Sequence, residues 1–94
     1  MKRSDYEDKH FEWQYEHTIW VIPDYMRGNI LDYIFDKRPV GEFLTAVICN
    51  DMKTAIGKAD GNNLRNIQAY LYFFYNYAPA LCWGSKEAME AWLK

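Results

Sequence analysis

Between Tyr70 and Tyr77 six of eight residues are aromatic, and the run stops at Ala78-Pro79. Rings at adjacent and alternate positions surround a helix, so no one face can hold them all. The segment must be the centre of a core, or it must divide its rings between a core and an exposed surface. Nothing in it resembles a catalytic motif.

A chain of 94 residues makes one domain. At that size only about 60–65% of the unfolded surface is buried, so the core must be rich to be stable. Here 18% of residues are aromatic, with four Trp and eight Tyr. That surplus points to a homo-oligomer, joined through the N-terminal arm, or to an apolar surface for another protein.

Charge narrows the partners. The formal net charge is −2. Residues 1–20 carry more acids than bases, with Asp5, Glu7, Asp8, Glu12 and Glu16 against Lys2, Arg3 and Lys9. The remainder is balanced. No basic stripe supplies phosphate affinity, so nucleic acid is a poor fit. Cys49 and Cys82 belong to no CxxC pair, Met1–Asp8 has no apolar signal core, and no stretch is apolar enough to cross a membrane. A reduced, cytoplasmic protein without membrane contact is expected.

Two parts are expected: an arm over residues 1–20 and a helical domain over 21–94. From Phe11 to Ile19, apolar and polar residues alternate, which favours a strand over 11–19. A helical stripe of Tyr6, His10, Trp13, His17 and Trp20, opened by Ser4-x-x-Glu7, is the competing form. Pro23-Asp24 opens the first helix, whose apolar face is Met26, Ile30, Leu31, Ile34 and Phe35; Lys37-Arg38-Pro39 closes it. A second helix is predicted over 41–56, with Leu44, Val47, Ile48, Met52 and Ala55 inward. A third runs over 62–77, with Leu64, Ile67, Leu71, Phe74 and Ala78 as its main stripe and Tyr70, Phe73 and Tyr77 as a second. Ser85 caps a last helix that packs Met89, Trp92 and Leu93. The fold class is mainly α: a small four-helix domain with an extended or β-stranded N-terminal arm.

Chemistry is sparse. His10 and His17 match no metal-ligand spacing. Neither cysteine has a histidine near it in sequence, so both read as small buried residues. Asp51 and Asp60 are expected as helix caps; a buried general base or a nucleotide pocket is the alternative. No catalytic residue, metal site or cofactor is assigned. Arg27, Lys37 and Arg38, with tyrosines to stack on bases, would carry a nucleic-acid-binding module. The favoured handle is the ring surplus: Trp13, Tyr15, Trp20, Tyr72 and Tyr75 are candidate interface anchors.

The body from about residue 22 to 93 resembles a widespread family of short phage and prophage proteins. The likeness rests on Ile22-Pro23-x-Tyr25-Met26, Gly41-x-Phe43-Leu44-Thr45-Ala46-Val47-x-x-Asn50-Asp51, Ala59-Asp60-x-x-Asn63, Phe74-Tyr75-Asn76-x-Ala78-Pro79, Cys82-Trp83-Gly84-Ser85 and Ala91-Trp92-Leu93. The first 20 residues look like an extension that typical members lack. The resemblance implies a viral accessory protein acting in the bacterial host cell and carries over no catalytic residues. The expected function is non-enzymatic: binding of a host or phage protein, a host defence factor among the targets. A nucleic-acid-binding module and a small enzyme are the alternatives.

Overall fold

A computed structural model describes all 94 residues. The chain is mainly helical, in seven segments: α1 (Arg3–Glu7), α2 (Asp24–Asp36), α3 (Glu42–Ile48), α4 (Met52–Lys58), α5 (Gly61–Arg65), α6 (Ile67–Asn76) and α7 (Lys86–Leu93). A 3-10 turn, Ala80–Cys82, lies between the last two. The mainly α class holds; the four predicted helices are cut finer.

Two asparagines make the cuts. The helix predicted over 41–56 stops at Ile48 because Asn50 turns left-handed, at φ 62°. Asn tolerates that region better than most residues. The Asp51 amide then donates to the Ala46 carbonyl at 2.8 Å, and the Asn50 amide to Val47 at 3.1 Å. These are the paired bonds of a Schellman stop. Asp51 at once begins α4, its carboxylate accepting from the Thr54 amide at 3.2 Å. The helix predicted over 62–77 is broken at Asn66. The Asn66 amide group donates to the carbonyl of Asn62 and accepts from the Val21 amide, both at 2.8 Å. A side chain that bonds its own turn competes with the helix ladder. Here it also fastens the arm to the joint between α5 and α6.

Elsewhere the expected punctuation holds. Asp24 follows Pro23 at the start of α2, and Lys37 ends it in left-handed geometry. The Ser85 hydroxyl accepts from the Ala88 amide at 3.0 Å. Gly84 has φ 111°, open in practice only to glycine, and its amide donates to the Ile48 carbonyl at 2.7 Å. That bond ties the Cys-Trp-Gly-Ser loop to the end of α3.

The expected strand over 11–19 does not form. One antiparallel bridge, Gln14 to Val21, closes a tight hairpin turn in which His17 is left-handed. Thr18 bonds back to the Tyr15 carbonyl through both its amide and its hydroxyl. Local side-chain bonds thus cap the segment before a ladder can lengthen. Nor do residues 1–10 run free. Arg3 reaches Asp32 and Asp36 at 2.8 Å each and Glu7 at 3.3 Å, pinning α1 to α2.

One core joins arm and body. Tyr6 and Trp13 are buried with the helical residues. Trp13 stacks on Phe73, with ring centroids 4.9 Å apart at 16°. The Tyr6 hydroxyl donates to the Tyr77 carbonyl. Tyr33 and Tyr70 are also fully enclosed. Their hydroxyls find the Cys82 carbonyl at 2.7 Å and the Asn63 side chain. Asn63 is the one buried polar residue, and every buried side-chain nitrogen or oxygen has a partner.

The Asn63 corner also holds a charge. Asp60 caps α5, accepting from the Asn63 amide at 2.7 Å and from the Tyr25 hydroxyl at 2.6 Å. The Tyr25 bond, then the backbone amide, holds the Asp60 carboxyl below its usual range. A carboxylate that is more acidic when folded stabilises the fold above its unfolded value, near pH 4. The contribution is lost as pH falls through the folded value. Asp60→Asn is therefore expected to lower stability at about pH 7, with the gap to the parent closing towards about pH 3. Urea midpoints at both values test this; an unchanged gap would mean that the charge at Asp60 is irrelevant.

Candidate interaction groove

The break at Asn50 and the break at Asn66 rotate the helices that follow them. On α4 this leaves Met52 and Ile56, an i, i+4 pair, turned to solvent, with Met52 70% exposed. On α6 it leaves Leu71 and Tyr75, again i, i+4, with Tyr75 80% exposed. Leu64, Leu71 and Met52 were expected inside, and all three are exposed. Of the two expected stripes, Phe74 from the first and Tyr70 and Phe73 from the second are buried, together with Ala69. The expected stripe ran Leu64 and Leu71 in one phase through Asn66, where the helix is interrupted.

Between the two exposed ridges lies an apolar cleft of about 110 Å³, with Val47, Ala55 and Ile67 forming part of its floor. It meets a broader depression of about 760 Å³ at Asn50 and Leu71. The far wall of that depression is the arm's hairpin turn, with Tyr15 and Glu16; Tyr72, Tyr75 and Trp83 supply ring surface. Tyr15 and Tyr72 lie 4.6 Å apart, and the Tyr72 hydroxyl donates to the Glu16 carboxylate at 3.2 Å. Hydrogen bonding with Tyr77, then desolvation and Glu16, pushes Tyr72 up to about 12, so its hydroxyl keeps its proton at neutral pH.

The predicted anchors separate. Tyr15, Tyr72 and Tyr75 come together in this groove. Trp13 does not: it is only 9% exposed, enclosed by Tyr6, Phe11 and Phe73, and it is a core residue. Trp20 is half-buried, its ring edge-on to Tyr15 at 6.2 Å. Met52, Ile56, Leu71 and Glu16 were missed as groove residues. The signal for the first two was Asn50-Asp51, a helix stop followed by a helix start, which re-phases everything after it.

The cations of the nucleic-acid reading are dispersed. Arg27 lies 5.7 Å over the Trp13 ring and bonds Asp24 and the Ile22 carbonyl. Lys37 sits 3.2 Å over Trp92, holding α7 against the end of α2. The two stand ten residues apart along one helix, about 15 Å. Arg38 is exposed.

Other chemical candidates are occupied by structure. Burial raises the Cys82 thiol to about 11 and also raises Cys49, whose sulfur contacts Met89 at 3.6 Å. Both are held as neutral thiols. Asp51 and Asp60 are helix caps. No three His, Cys, Asp or Glu side chains gather as a metal site, and no helix is long and apolar enough to cross a membrane. No family model, curated protein or solved structure matches the chain.

Proposed function

We propose that this is a non-enzymatic interaction protein whose working surface is the groove between α4 and α6. The observation that carries the reading is the outward placement of Met52, Ile56, Leu71 and Tyr75 around a continuous cleft, although a ring-rich core lay within reach. Contiguous apolar surface of this kind marks sites of protein association, and tyrosine at its centre suits an anchor. The resemblance to short phage and prophage proteins extends the reading to an accessory factor that occludes a host protein, a defence factor being one such target.

The test is capture from bacterial lysate by the tagged parent and by a Met52→Ser/Leu71→Ser variant, with binding to the recovered partner then measured in purified form. The variant should keep its helical circular dichroism and bind at least about thirtyfold more weakly, a loss of about 2 kcal/mol. Leu81→Ser, at an exposed leucine that lines neither depression, is the control. If both variants bind as the parent does, the groove is not the working surface.

A further inference from the structure

The lining of the groove is uneven in charge. The chain has 11 lysines and arginines, and none lines either depression. The carboxylates on their walls are Glu16 and Asp51. His17 lies on the rim, 3.3 Å from Glu16. The ring faces are also free of cations. Where the chain stacks its own cations on rings, it does so at Trp13 and Trp92, outside the groove. At Tyr15, Tyr72, Tyr75 and Trp83, ring surface adjoins the Glu16 carboxylate, which accepts from the Tyr72 hydroxyl and neighbours His17 but has no lysine or arginine in the groove beside it.

We propose that the groove receives an amphipathic helix bearing arginine or lysine beside its apolar stripe. This rests on the interaction reading above and adds the chemistry of the partner. Paired i, i+4 ridges on α4 and α6 leave a channel of the kind that an apolar helical stripe fills. Met52, Ile56 and Leu71 take that stripe. The cation passes to the Tyr15–Tyr72 corner, where ring faces and the Glu16 carboxylate attract it together. An acidic segment would meet two carboxylates and no lysine or arginine.

The experiment uses two synthetic helical peptides of about 18 residues, five turns. They share one leucine stripe and differ only in whether arginine or glutamate flanks it. Each is titrated into isotope-labelled full-length protein and followed by backbone amide shifts. The arginine peptide should bind at least about tenfold more tightly, with saturable shifts centred on Tyr15, Leu71 and Tyr75, and should weaken as salt is raised. Glu16→Gln should reduce that preference severalfold, weakening the arginine peptide and strengthening the glutamate peptide. Met52→Ser/Leu71→Ser should remove both. Equal binding of the two peptides, abolished by the double serine variant, overturns the charge preference and leaves the interaction reading standing. No binding by either, or shifts centred outside the groove, overturns the basic-helix proposal; the lysate capture then decides the interaction reading separately.

Discussion

Trp13→Ala is expected to destabilise the protein by about 3–5 kcal/mol, a value typical of truncating a large buried aromatic. The indole is stacked flat on Phe73 and edged by Phe11, and the Arg27 guanidinium lies over its ring at 5.7 Å. Its loss would open a cavity where the arm meets α6. Domains of this length have a total stability of about 5–14 kcal/mol, so the loss would remove a large part of it. Urea unfolding followed by circular dichroism measures the effect. A change below about 1 kcal/mol would mean that the arm is an appendage to a self-sufficient helical body.

The second large effect distinguishes two neighbours. Phe74→Ala should also cost about 3–5 kcal/mol, whereas Tyr75→Ala should stay within about 0.5 kcal/mol of the parent. Phe74 is fully enclosed, edge-on to Phe73 at 5.4 Å and close to Trp83 at 5.7 Å. Tyr75, one residue on, points to water. The pair therefore tests directly how the aromatic run is divided between core and surface. Comparable losses at both positions would place Tyr75 in the core and remove it from the groove.

That division explains what could be read in advance. Pro23-Asp24 and Ser85 mark helix starts by chemistry that acts within one turn, and both are where they were expected. The buried sets on α2 and α7 follow from helical periodicity for the same reason. Asn50 and Asn66 act differently. Each interrupts a stretch whose apolar spacing looks continuous, the first by adopting left-handed geometry, the second by spending its side-chain amide on Asn62 and Val21. Periodicity carried through those points assigns the wrong face, so Leu71 and Met52 were expected inside. The arm was misread for a related reason. Alternation from Phe11 to Ile19 is real, but the turn built by Thr18 and His17 leaves only one bridge. Of the anchors, Tyr15, Tyr72 and Tyr75 were recognisable as excess ring surface. Their convergence with Leu71 and Glu16 depends on the hairpin lying against α6, a contact between residues 56 apart.

The bonds between arm and α6 have a consequence for synthesis. Tyr6 finds its acceptor at Tyr77, and Trp13 finds its stacking partner at Phe73. A ribosome makes the arm first, so until that far helix has emerged its rings have only one another, Phe35 and Arg27 for native partners. The nascent chain carries them incompletely covered through most of translation. Folding then closes over long sequence separations in one late step, which slows it and exposes the chain to proteases and chaperones meanwhile. Any product terminated before Phe73 lacks the surface its own beginning requires, and the cell's quality control will recognise it by those bare rings.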